Sequence, residues 1–264
     1  MSSRAGRRRR LAEGFFWATL AAYALASVAY VRPGRFGTWA VRLGWLAQTA
    51  LLGVQAAQAD GFPWATWWGS LDLFVWLVVA AYLVWGCRPR YRLLGLAVMP
   101  LATILLAVSY AGGGAAGEAS GYSNLFLVVH VGLVLAAFAG FTLAAALAAL
   151  YLWQERRLKR HDAGILRVRV PSLVTLDELS GRTIAVALPA LTLGIVAGLI
   201  RLGFHGGGFD ALMALTILTW AVYGVFLLLR YEAGWHGRKA AYLLLAGFAL
   251  VIAVRLGLPT VHFS

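Results

Sequence analysis

The chain has 264 residues, 61% of them hydrophobic and only 12% charged. A soluble domain is about half apolar and a quarter charged, so this much apolar surface exceeds what one globular core can hide. The formal charge of +13 does not mark a nucleic-acid binder, because the Lys and Arg residues sit between apolar runs. A single cysteine, Cys87, excludes an intrachain disulfide and the Cys-rich metal motifs.

A helix crosses a bilayer in about 20 mostly apolar residues. On that measure the sequence predicts an all-α, polytopic transmembrane bundle with spans at 14–31, 38–58, 70–86, 93–111, 125–153, 182–202, 211–230 and 238–257. A basic tail covers 1–13, one transmembrane domain covers 14–257, and a short tail covers 258–264. The stretch 125–153 is long, which predicts that its C-terminal end projects beyond the lipid. Pro100 and Pro189 fall near or inside spans, where neighbouring helices satisfy the freed carbonyls.

Charge placement gives orientation. The segment from Gln154 to Arg182 carries seven basic residues, and further Arg and Lys follow the third and seventh spans. The alternate loops, 59–69, 112–124 and 203–210, hold neither Lys nor Arg. The basic side is therefore expected to be cytoplasmic and the C-terminus outside. Eight spans then put the N-terminus outside as well, although its tail carries Arg4, Arg7, Arg8, Arg9 and Arg10. Three readings reconcile this: the later loops overrule a short tail, the first span inserts incompletely, or translation starts downstream.

The same parity places His130, His205 and His262 on the outer side, with His161 and His236 in basic loops. A lone interfacial His is commonly an anchor, whereas two at the mouths of different helices suit paired ligation of haem iron. Trp67 and Trp68 precede the third span, and Phe209 and Asp210 the seventh, so aromatic rings gather on that side too. They read equally as an interfacial belt. Asp210 and Asp72 read as helix-start residues, and Gln48, Gln55 and Gln58 offer polar groups for bonding across helices. No Walker loop, dinucleotide turn or nucleophile elbow is present.

Four stretches resemble the CcsA/HemX cytochrome c assembly family. They are PSLVTLDELSGRTIAVALPALTLGIVAGLI from Pro171, the ending GWHGRKAAYLLLAGFALVIAVRLGLPTVHFS, the loop GFPWATWWGSLDLFVW and the helix start NLFLVVHVGLVLAAFAGF. The resemblance implies haem handling at the outer face of a bacterial inner membrane, for attachment to apocytochrome c. It also implies two axial histidines, which align with His130 and His262, and haem b as cofactor. Phe209 and Asp210 stand where the family has the end of its tryptophan-rich W-G-x-x-W-x-W-D segment, here reduced to HGGGFD. Gln48 stands where synthetase members carry a histidine in an early helix. Both departures are similar to the HemX-like branch.

Such a protein acts by ligation rather than bond chemistry, so an assembly factor is expected more than a catalyst. Its implied partners are haem, the lipid bilayer and a membrane protein that supplies an external domain. The alternative is a membrane regulator or scaffold of an early, cytoplasmic tetrapyrrole-pathway enzyme, docking through 154–182.

Overall fold

The computed structural model describes residues 2–30, 36–57, 64, 67–86, 92–113, 125–160, 171–205 and 211–256. Every regular element among them is an α-helix: α1 (Ser2–Ala29), α2 (Phe36–Ala56), α3 (Trp67–Gly86), α4 (Arg92–Ala111), α5 (Leu125–Lys159), α6 (Leu173–His205), α7 (Ala211–Tyr231) and α8 (Arg238–Leu256). Among the described residues, α1, α4, α5, α6 and α7 contain stretches long and apolar enough to cross a membrane. The chain is a polytopic helical membrane bundle, as its composition requires.

Three helices run further than their apolar cores. The first continues back to Ser2, so the basic tail is helical and continuous with the span. Between Arg4 and Leu11 there is no proline, and Gly6 is set among Arg, Ala and Leu, all good helix formers. At its other extreme α5 extends to Lys159, and Arg156, Arg157 and Lys159 in its last turn complement the helix dipole. α6 starts nine residues before the predicted 182, behind Pro171 and Ser172. The Ser172 hydroxyl accepts the Thr175 N–H at 3.2 Å, an N-cap that counting apolar residues does not see. α7 closes at Gly234, whose φ of +62° lets the Trp235 N–H return to the Leu229 carbonyl at 3.0 Å.

The chain divides into two compact units: one of Met1–Arg88, Gly95–Asn124 and Thr260–Ser264, the other of Pro89–Leu94 and Leu125–Pro259. In the first, Tyr23 of α1 and Tyr30 just past its end lie on Gly44 and Gly37 of α2. Both pairs are seven residues apart and run in opposite directions, so an antiparallel seam repeats every two turns. A Cβ at Gly44 would stand 2.7 Å from the Tyr23 ring. Tyr82 of α3 donates to the Tyr30 hydroxyl at 2.9 Å, above Gly95 of α4. At the opposite end Phe16 stacks on Tyr110 with centroids 4.0 Å apart. The apolar stretch of α1 thus begins at the end of this unit where α4 finishes. It packs along α2 over its apolar length.

In the second unit α5 and α6 are antiparallel, with small residues facing each other. Gly140 meets Ala187, and Gly194 meets Val134. Phe141 stacks on Tyr223 of α7 at 3.9 Å, and Tyr223 in turn fits over Gly247 of α8. Between lipid-exposed helices there is little hydrophobic drive, so such close backbone approaches supply the packing energy.

Gly44 and Gly53 separate packing from propensity. Gly44→Ala forces a methyl onto the Tyr23 ring and is expected to cost about 1–3 kcal/mol by overpacking. Gly53→Ala meets nothing within 4 Å and is expected to be neutral or stabilising by up to about 1 kcal/mol. Thermal midpoints of the purified variants in detergent check both.

Candidate functional site

His130 lies in the second turn of α5 and is partly exposed. Its Nδ1 is 2.6 Å from the Gly194 carbonyl oxygen of α6. A carbonyl only accepts, so Nδ1 carries the proton and the lone pair of the neutral ring sits on Nε2. One turn further along α6, a Cβ at Gly198 would lie 2.8 Å from the imidazole Cε1 and 3.1 Å from Nδ1. The segment GIVAG, Gly194 to Gly198, therefore gives the ring both its hydrogen-bond acceptor and its space. A backbone carbonyl on one ring nitrogen fixes the tautomer and the ring orientation.

In the first unit, Trp68 is 37% exposed at the start of α3. Its indole covers Gly112 at the end of α4, where a Cβ would overlap the ring. The Ser109 hydroxyl donates to the Trp68 carbonyl at 2.6 Å and ties the two helix ends together. His262, Phe209 and Asp210 lie outside the described residues, as does the side chain of Trp67. The structure thus describes the surroundings of His130 and Trp68.

Two polar clusters accompany these residues. Asp72 is not a helix-start residue: α3 begins at Trp67, and Asp72 sits in its second turn only 3% exposed. Its Oδ1 accepts from Gln48 Nε2 at 2.8 Å and its Oδ2 from Gln55 Nε2 at 3.1 Å. Behind the two amides, Tyr23 donates to Gln48 Oε1 at 2.7 Å, and the Trp64 indole N–H to Gln55 Oε1 at 3.1 Å. Both donors to the carboxylate come from α2, and their amide oxygens are held in turn by α1 and the segment before α3. The expected cross-helix bonding by glutamines of the second span is present for Gln48 and Gln55; Gln58 is outside the described residues.

The other cluster lies where α6 begins. Arg230 of α7, 8% exposed at its side chain, donates from Nη2 to Asp177 Oδ2 at 2.9 Å. The same nitrogen bonds the Asp177 backbone carbonyl at 3.1 Å. The other carboxylate oxygen accepts the Gly237 N–H at 2.9 Å, just before α8. Gly181 leaves room for the guanidinium, which a Cβ would displace. Asp177 therefore fastens α7 and the start of α8 onto α6. Sequence reasoning treated Asp177 as part of a solvated loop. The available signal was the Pro171–Ser172 start followed by Leu173, Leu176 and Leu179 at helical spacing, of which Leu176 and Leu179 are buried.

Comparison with known proteins bears on all of this. The family described as Cytochrome C assembly protein matches this chain over residues 64–262. The chain belongs to that family. Similar curated proteins include the Cytochrome c biogenesis protein CcsA of Gloeothece citriformis, 26% identical over 89% of this chain and 87% of its own length. Those of Guillardia theta and Mesostigma viride are 25% and 22% identical, over 92% and 84% of this chain and 86% and 82% of their own lengths. The family match encloses His130, Asp72 and the whole Asp177–Arg230–Gly237 clamp, whereas Tyr23, Gln48 and Gln55 precede it.

Removing one partner of a buried ion pair leaves the other charge uncompensated. Asp177→Ala is therefore expected to destabilise this family member by about 3–5 kcal/mol. Glu178→Ala, whose partner Arg182 is 3.8 Å away with both side chains exposed, is expected to change stability by less than about 1 kcal/mol. Chemical or thermal unfolding in detergent distinguishes them.

Proposed function

We propose that this membrane protein handles haem during cytochrome c assembly, holding it through His130 and His262 at the outer face of a bacterial inner membrane. The observation that carries the reading is the pinned imidazole of His130. Its Nδ1–H is committed to the Gly194 carbonyl at 2.6 Å, and the clearance beside it depends on a glycine at 198. An anchoring histidine at an interface needs neither. The family membership and the CcsA relatives supply the cellular context.

Haem b would supply an iron with two axial positions. On this reading His130 offers Nε2 to one of them, and His262, near the C-terminus, offers a nitrogen to the other. The Gly194 carbonyl keeps the ring from rotating and raises the basicity of Nε2 by accepting from Nδ1. Trp67, Trp68, Phe209 and Asp210 stand at the porphyrin edge, where aromatic faces exclude water. No bond is made or broken by these groups, so the protein presents its cargo and a membrane partner with an external domain completes the attachment. The loops bearing Lys and Arg face the cytoplasm and the C-terminus lies outside.

The test is an absorption spectrum of the detergent-purified protein, oxidised and dithionite-reduced. A Soret band and sharp reduced bands are expected in the wild type and are expected to disappear in both His130→Ala and His262→Ala. Gly198→Ala is expected to weaken haem binding about tenfold, the usual cost of disturbing an outer-shell partner. Unchanged haem content in the two histidine variants overturns the proposal.

A further inference from the structure

The second unit carries a cluster of cations that the haem reading does not use. Near the end of α5 and the start of α8, two arginines gather around one phenol. Arg238 Nη2 donates to the Tyr242 hydroxyl at 3.4 Å, and its Cζ stands 5.5 Å from the Tyr242 ring centroid. Arg156 of α5 lies close enough to the same hydroxyl to act on it electrostatically. A phenol compensates neither charge. The one acid of α5, Glu155, pairs with Lys159 at 2.6 Å and also acts on Arg238, so it is shared among several cations.

Two further cations lie over aromatic rings close by in sequence. Arg157 sits 4.7 Å from the Trp153 centroid and Lys239 sits 5.8 Å from that of Trp235. Trp153 and Tyr242 turn outward from the unit, 37% and 42% exposed. Outward rings beneath a layer of cations match the boundary where acyl chains give way to headgroups. The positive charge of this end also assigns it to the inner leaflet, where anionic lipids attract basic residues. Arg is the residue suited to the role, because its planar fork bonds two phosphate oxygens at once.

We propose that Arg156, Arg238 and Tyr242 bind the phosphate of an anionic phospholipid in the inner leaflet. The phenol lies beside both arginines, and the lipid phosphate adds negative charge where one carboxylate, Glu155, faces several cations. The seat joins α5 to α8, so the lipid braces the helix that carries His130 against the last helix.

Native mass spectrometry of the intact protein in detergent, titrated with phosphatidylglycerol or phosphatidylcholine, tests this. The wild type is expected to prefer phosphatidylglycerol by roughly 30-fold, and Arg238→Gln alone to reduce that preference roughly fivefold. The double variant Arg156→Gln/Arg238→Gln is expected to lose the preference, while the exposed control Arg182→Gln keeps it. A double variant that binds like the wild type overturns the proposal. So does an equal loss in Arg182→Gln, which marks general surface charge. Release of the lipid by excess inorganic phosphate, with the phosphate retained, also overturns it in favour of a soluble phosphorylated ligand.

Discussion

The antiparallel register of α5 against α6 governs what the second unit is able to do. Gly140 opposite Ala187 and Gly194 opposite Val134 let the two backbones approach closely. Continued one more turn, the same register brings His130 to Gly198 and aims its Nδ1 at the Gly194 carbonyl. A shift of one residue would move a side chain into the space the ring occupies. The tautomer of the histidine is thus a consequence of helix packing, and the metal ligation proposed for it rests on that tautomer. In a bilayer this is an economical arrangement: small residues supply close packing, and a helix carbonyl with a second lone pair serves as acceptor.

Among the described residues, each unit also has a carboxylate that joins helices, Asp72 fully buried and Asp177 largely so. Asp72 gathers amides from α2, which are themselves held by Tyr23 and Trp64. Asp177 gathers a guanidinium and a backbone N–H. The two differ in kind: a carboxylate held by neutral amides orients its neighbours by hydrogen bonding alone, whereas the Asp177–Arg230 pair balances charge as well. Polar groups in such surroundings are costly when left unpaired, which makes each cluster a strong constraint on helix order.

Composition and apolar run length made the helical membrane fold legible, since eight separate runs cannot be packed around one soluble core. The histidine on α5 was legible too, as a polar residue at the mouth of a span, and so was its likeness to a haem-handling family. What the sequence concealed were relations between distant residues. Asp72 looked like a helix cap because its donors, Gln48 and Gln55, are 24 and 17 residues away. Asp177 looked like a loop acid because its partner Arg230 is 53 residues on. Apolar counting also stopped α6 at 182, since Asp177, Glu178 and Arg182 interrupt the run although the helix continues through them. The role of Gly198 had no sequence signal beyond its spacing from Gly194, because a missing side chain reports nothing about what fills its place.

The most direct measurement is the low-temperature electron paramagnetic resonance spectrum of the oxidised, haem-loaded protein. Two neutral imidazoles, one held by the Gly194 carbonyl, predict a low-spin ferric signal of bis-histidine type that is lost in His130→Ala. A high-spin signal in the wild type, or a low-spin signal that His130→Ala leaves unchanged, contradicts the account.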